Sequence, residues 1–170
     1  MILLNTERLR LRSMTLDDAD FILELLNSPG WLKHIGDRGV NDLDQARSYL
    51  QRMVIPAYEK FGFGFYVIER LSDSARVGNC GLVKRLGLDH VDIGYSLLKQ
   101  YEGQGYAIEA AKAMLDHGFN VLKLDPIQAI TSMGNEGSKR VLEKLGMSCI
   151  GTVRLPDDDE ELLLYNKVCP

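Results

Sequence analysis

The sequence predicts an α/β (α+β) fold with a mixed central sheet flanked by helices, in the order β-α-α-β-β-β-α-β-α-β-β. Three observations carry this. Hydrophobic periodicity switches between strand-like and helix-like repeats along the 170 residues. The runs Phe63–Leu71, Arg76–Arg85 and Val91–Leu98 are joined by short turns, as in an antiparallel meander. After them helix and strand alternate before a closing hairpin, which makes the sheet mixed rather than fully parallel.

The elements follow in order. Leu9-Arg10-Leu11-Arg12 alternates with period two and opens the chain as a strand. Thr15 starts a helix, with Asp18 three residues later completing a capping-box pattern. Its apolar stripe is Ala19, Ile22, Leu25 and Leu26, and Ser28-Pro29-Gly30 is expected to end it. Trp31 to Val40 is a polar, glycine-containing connector. Asp42 or Asp44 caps a second helix carrying Ala46, Tyr49, Leu50, Met53 and Val54, and Pro56 kinks or shortens it near its end. The meander comes next. Gly103–Asn120 is a helix with Ala107, Ala110, Ala111, Met114 and Gly118 on one face. Ile127–Ser132 is a short strand, and Asn135–Leu145 is a helix closed by Gly146. Met147–Arg154 and Leu162–Val168 form the closing hairpin across the acidic loop Asp157–Glu161.

Length, with no internal repeat or low-complexity segment, predicts one domain over residues 1–170. The chain is 45% hydrophobic, which excludes a disordered protein, and no apolar run reaches the roughly 18 residues of a membrane span. Met1-Ile2-Leu3-Leu4 is too short for a signal peptide and runs into Glu7, Arg8 and Arg10, so a cytoplasmic location is expected. A net charge of -4 argues against general nucleic-acid binding. Cys80, Cys149 and Cys169 are odd in number and widely spaced, without a CxxC pair. His34, His90 and His117 form no ligand pair, so no metal site is expected. Cys80, within a mid-sheet strand, is assigned to packing rather than to acyl carriage.

The informative segment is Leu97-Leu98-Lys99-Gln100-Tyr101-Glu102-Gly103-Gln104-Gly105-Tyr106-Ala107, where a strand ends, glycines follow and an amphipathic helix begins. Glycines let backbone N–H groups converge on an anion, and a helix N-terminus adds unpaired donors and a favourable dipole. A P-loop would need Gly-Lys-Ser or Gly-Lys-Thr, which the chain lacks. A dinucleotide fingerprint would need a glycine at Ile108 and a preceding first strand, although Asp125 stands 20 residues after Gly105 as that pattern would require. A phosphate cradle and a plain tight turn both remain open from this motif alone. The second cluster is Asn135-Glu136-Gly137-Ser138-Lys139-Arg140-Val141-Leu142, continuing to Gly146-Met147. Ser138, Val141, Leu142 and Leu145 share one helical face, so Ser138 either satisfies local backbone or faces a ligand, and Asn135 is an N-cap in either case.

Together these clusters resemble motifs A and B of the GCN5-related N-acetyltransferase (GNAT) family. Gly103-Gln104-Gly105-Tyr106-Ala107 with Glu109-Ala110 resembles the acetyl-CoA turn, and Asn135-x-x-Ser138 with Glu143-Lys144-Leu145-Gly146-Met147 resembles the second CoA-contacting helix. Thr6-Glu7-Arg8-Leu9-Arg10-Leu11-Arg12 and Ile93-Gly94-Tyr95 match the branch holding the ribosomal-protein alanine and serine N-acetyltransferases. The likeness spans nearly the whole chain. It departs from the family at Glu102, where many relatives have Arg or Gln, and at Leu142, where a tyrosine acid is frequent.

The resemblance implies a mostly antiparallel sheet and an acetyltransferase that moves acetyl from acetyl-CoA directly to a primary amine, without a metal. Leu97 and Leu98 would offer backbone groups to the pantetheine arm. Gly103, Gln104, Gly105, Tyr106 and Ala107 would hold the pyrophosphate, with Asn135 and Ser138 also on the cofactor. Ser138 becomes the expected acid for the departing thiol. Asp92, Glu69, Glu102 and His34 are open as bases. The acceptor, a protein N-terminus or a small-molecule amine, would enter between the Trp31–Val40 connector and the closing hairpin. There the five acidic residues Asp157–Glu161 either attract a cationic amine or form a solvated loop. Monomer and homodimer are both open, with no nucleic acid or membrane partner. The alternatives are a CoA-binding sensor that has lost catalysis and a dinucleotide oxidoreductase.

Overall fold

The computed structural model describes residues 1–170. The strands are β1 (Ile2–Asn5), β2 (Leu9–Ser13), β3 (Phe65–Arg70), β4 (Arg76–Val83), β5 (Asp92–Leu97), β6 (Ile127–Ser132), β7 (Ser148–Val153) and β8 (Leu162–Lys167). The helices are α1 (Ala19–Leu26), α2 (Pro29–His34), α3 (Leu43–Tyr49), α4 (Ile55–Phe61), α5 (Tyr106–Asn120) and α6 (Glu136–Lys144). All eight strands join one sheet in the order β1-β2-β3-β4-β5-β6-β8-β7. Every pairing is antiparallel except β5–β6, which is parallel and meets at the single register pair Asp92↔Gln128. The mixed, mostly antiparallel sheet expected from the sequence is therefore present, but it is split. No helix is long and apolar enough to cross a membrane.

Local chemistry accounts for the elements and for three departures from expectation. The Thr15 hydroxyl accepts from Asp17 N–H and the Asp18 carboxylate accepts from Thr15 N–H, so the capping box starts α1 through a short 3-10 turn. Burial of Ile22 and Leu25 on the inner stripe contributes about 1.5–3 kcal/mol each. Ser28-Pro29-Gly30 ends α1 but also begins α2, because proline in the first helical turn needs no N–H partner. Trp31, assigned to a connector, is therefore a helical residue, anchored in the core at 6% exposure. The second helix is not one α-helix: Leu50–Val54 widens into a π turn, and Pro56 sits in the first turn of α4 rather than near an end. Strand β1, unexpected from sequence, pairs with β2 at the sheet rim.

Two apolar clusters cover the two faces. On one face α5 and α6 pack over Leu82, Ile93 and Ile127 through Ala110, Ala111, Met114 and Leu142. On the other, Trp31, Leu50 and Val54 from the first four helices and the turn between them pack with Val67 and partly buried Phe65. Strand register assigns the rest of that second face. Val67, Asn79 and Ser96 lie opposite one another, as do Phe65, Gly81 and Gly94, then Val83 and Asp92. The face carrying Asn79 and Asp92 is thus the one beneath α1–α4, whereas Tyr95 shares the α5–α6 face.

Gly81 is where the meander is tightest. A Cβ there would lie 2.1 Å from Gly64 O and 2.6 Å from Phe65 Cα. All three nearest atoms are backbone of Gly64 and Phe65, which cannot swing aside, so Gly81→Ala is expected to cost about 3 kcal/mol or more, read as a lowered urea midpoint.

Candidate active site

Past the Asp92↔Gln128 pair the two middle strands separate, and a cavity of about 1500 Å³ runs between them and out over both faces. The Leu98 N–H crosses to Val77 O on β4 (2.9 Å), while Gln128 N–H reaches Val91 O (2.9 Å). Because backbone direction alternates along a strand, Tyr95 and Leu97 share the side of Val91 and turn their N–H and C=O toward the gap. Leu98 does not. Its N–H is spent on Val77, its C=O accepts from Tyr101 N–H (2.9 Å), and its side chain is 4% exposed in the core. Of the expected pair Leu97 and Leu98, therefore, only Leu97 turns its backbone to the gap, with Tyr95 two residues before it.

The gap ends at the glycine turn. Gly103 and Gly105 adopt φ of +75° and +81°, in the left-handed region that only glycine enters freely. No N–H from residue 103 to residue 108 has an acceptor within the protein. These are six successive unpaired donors, three of them in the first turn of α5, and a helix N-terminus with free N–H groups favours an anion. Gly103, Gly105, Tyr106 and Ala107 line the cavity. Gln104 does not: its C=O accepts from Arg8 Nη1 (2.9 Å) and its side chain turns back to Gln100 O (3.3 Å). The Tyr106 side chain is buried, so its contribution is backbone only. Glu109 holds the turn from behind, accepting from Thr6 Oγ1 (2.6 Å), Arg8 N–H (2.9 Å) and Arg8 Nε (2.7 Å).

Across the gap, Asn135 Oδ1 accepts from Ser138 N–H (3.1 Å), capping α6 and fixing its first turn. The Ser138 hydroxyl lies 3.2 Å from the Tyr95 hydroxyl. Burial pushes the Tyr95 phenol up to about 12, only partly offset by its bond to Ser138, so it stays protonated through the neutral range. Leu142 is 1% exposed in the core and has no proton to give. In the sequence Tyr95 stands in a strand and in the Ile93-Gly94-Tyr95 resemblance, but neither shows its meeting with Ser138, which joins positions 43 apart.

The carboxylates divide. Glu69, on β3 two strands from β5, is taken by Arg12 of β2 (2.6 Å) and does not reach the cavity. Asp92 and Glu102 line it, as does His34. Burial raises the Asp92 carboxyl above the ordinary range, and Arg85 Nε, 3.3 Å from both oxygens, offsets this in part. Asp157, Asp158 and Glu160 line the mouth from the β7–β8 loop. Cys80 is fully buried and its thiol is pushed far up by desolvation, which makes it packing and not a nucleophile.

The split sheet thus carries a run of unpaired N–H donors at its open end and paired hydroxyls across the gap, with room for an extended ligand between them. A family model described as an acetyltransferase (GNAT) domain matches residues 8–148. The chain belongs to this family and is an N-acetyltransferase. It is 31% identical over 153 residues to the uncharacterised N-acetyltransferase p20 of Bacillus licheniformis, covering 89% of this chain and 85% of that protein. Among solved structures, an acetyltransferase from Agrobacterium tumefaciens C58 superimposes with a TM-score of 0.82 at 27% identity, covering 98% of this chain and 94% of that one. A ribosomal L7/L12 α-N-protein acetyltransferase in complex with coenzyme A shares the fold at a TM-score of 0.83 and 18% identity, covering 99% of this chain and 98% of that one.

Proposed function

We propose that the protein transfers acetyl from acetyl-CoA directly to a primary amine, on a protein N-terminus or a small molecule. The observation that carries this is the run of unpaired N–H groups from 103 to 108 at the end of an open inner strand edge. It fits a pyrophosphate followed by an extended, amide-bearing arm, which Tyr95 and Leu97 would pair as a neighbouring strand does. Acetyl-CoA supplies an acyl group already activated as a thioester, so the protein's task is chiefly alignment and proton management. The cradle at Gly103, Gly105, Tyr106 and Ala107 fixes the phosphates, and Asn135 keeps the first turn of α6 against the arm. Ser138 gives the departing sulfur its proton, with the Tyr95 phenol supporting the serine hydroxyl. Asp92, buried with a raised pKa on the acceptor face, is the carboxylate suited to take a proton from the incoming amine.

Calorimetry with CoA and release of free thiol from acetyl-CoA across a panel of amines test this. Binding is expected for the natural sequence, and Gly105→Val, which strains φ at +81° and tilts a cradle donor, should weaken it by about tenfold or more. Absence of CoA binding, or binding without thiol release on any amine, would overturn the proposal.

A further inference from the structure

We propose that the acceptor is an amine that also carries a carboxylate, as an α-amino acid does, and that Trp31, Arg38 and Arg85 hold its anionic end. This rests on the acetyl-transfer reading and deepens it by naming the acceptor class. Four buried side-chain polar atoms in the chain have no hydrogen-bond partner, and three of them, Trp31 Nε1, Asn79 Oδ1 and Ser132 Oγ, belong to residues lining the same cavity. Trp31 and Asn79 are 6% and 4% exposed, so each stands to lose about 1–3 kcal/mol unless a ligand satisfies it. The two are of opposite kind. Indole N–H only donates, whereas the Asn79 oxygen only accepts. A ligand matched to this side of the cleft must therefore present both an acceptor and a donor.

The charges are sorted in the same sense. Trp31 opens a segment that continues through Lys33 and Arg38, and Lys84 and Arg85 face the cavity from the end of β4. Arg38 has no ion-pair or hydrogen-bond partner, and Arg85 has only Asp92. Arg38, Arg85 and the Tyr49 between them in sequence all line this one cavity. Lys33, Arg38, Lys84 and Arg85 outnumber the carboxylates Asp92 and Glu102 in this part of the cavity. On the sheet floor, Asn79 and Asp92 offer acceptors on one shared face, and Asp157, Asp158 and Glu160 also line the cavity from the β7–β8 loop. Guanidinium and indole donors from Arg38, Arg85 and Trp31, beside the amide and carboxylate acceptors of Asn79 and Asp92, fit a molecule with an anionic and an amino end. A polyamine would leave the donors unmatched.

The test compares probes that differ only in the carboxylate. Trp31 is the single tryptophan, so quenching of its fluorescence reports binding without turnover. N-acetyl amino acids are titrated against the matching N-acetyl amino-acid amides, and free amino acids, their amides, spermidine and a basic hexapeptide are compared in thiol release from acetyl-CoA. The carboxylate form of at least one pair is expected to bind about tenfold more tightly than its amide, the scale of one charge-assisted hydrogen bond. Arg38→Gln, at an exposed and unpaired position, should bring the two affinities within about twofold, well below one such bond. Equal binding of acid and amide, or preferred turnover of spermidine or the peptide, would overturn the inference. Carboxylate-selective quenching in a protein that releases no thiol would overturn the transfer reading and leave this one standing.

Discussion

Arg12→Ala is expected to lower unfolding free energy by about 3–5 kcal/mol, the cost of leaving buried charge unpaired. Arg12 donates from Nη1 and Nη2 to the two oxygens of Asp18 (2.8 Å each) and from Nε to Glu69 (2.6 Å). Asp18 is 2% exposed and also closes the cap at Thr15, so truncation strands a carboxylate at the junction of β2, β3 and α1. Arg76 Nη1 donates a longer bond to Asp18 Oδ1 (3.4 Å) but is committed to Asp20, so it offsets only a small part of the loss of two 2.8 Å bonds. Acidity gives a second signature. Burial alone would raise the Asp18 carboxyl, but hydrogen bonds from Arg12 and Thr15 outweigh it and hold the group below its ordinary value of 3.8. A depressed carboxylate stabilises the fold above its unfolded pKa and loses that contribution as pH falls through the lower folded one. In the natural protein this contribution therefore fades below about pH 4. In Arg12→Ala burial prevails and the carboxyl rises, so the variant should gain stability on acidification from neutral pH, the opposite sign. Urea unfolding between neutral and acid pH checks both.

Ser138→Ala is expected to lower kcat for thiol release by about 100-fold at neutral pH, the lower range for loss of a general acid. The KM for acetyl-CoA should change little, because Asn135 caps α6 through the Ser138 backbone N–H, which alanine retains. Tyr95→Phe should show a smaller loss of the same form, since the serine hydroxyl remains but its phenol neighbour is gone. A leaving thiol has a pKa of about 8.5, so the need for a donated proton wanes above that pH and the deficit of Ser138→Ala should narrow there. Tyr95, held near 12, does not titrate across that range and contributes no inflection of its own. An unchanged kcat at every pH would remove Ser138 from the proton path.

How far such features are legible in sequence depends on how locally they are encoded. The meander, α5, β6 and α6 are read from periodicity, because each buries one face against a neighbour, whereas in the closing hairpin only β8 buries residues and β7 is exposed from Ser148 to Thr152. The glycine turn is equally legible, since left-handed backbone at 103 and 105 selects the residue type directly. β1 was not, because Ile2 to Asn5 shows no alternation and becomes a strand only by pairing with β2. Ser28-Pro29-Gly30 is ambiguous in principle: proline both stops one helix and starts the next, and Trp31 burial decides which. The split of the sheet leaves no local mark, for neither β5 nor β6 carries a residue that forbids pairing. Leu98 was misplaced for a related reason. Only the hydrogen bond to Val77 shows which way its peptide group turns. The Tyr95–Ser138 pair and the Trp31–Asn79 surroundings are products of tertiary packing alone.

Exposed strand edges invite other chains to add themselves, and proteins usually blunt the outer ones. Here unpaired main-chain groups lie in the middle of the sheet, where β5 and β6 diverge. Two inner edges facing one another are sheltered from a second folded protein by the walls that create them. They admit only something as thin as a single extended chain. The geometry thus uses the same hydrogen-bonding appetite that drives aggregation, but sets it behind an aperture that selects by width.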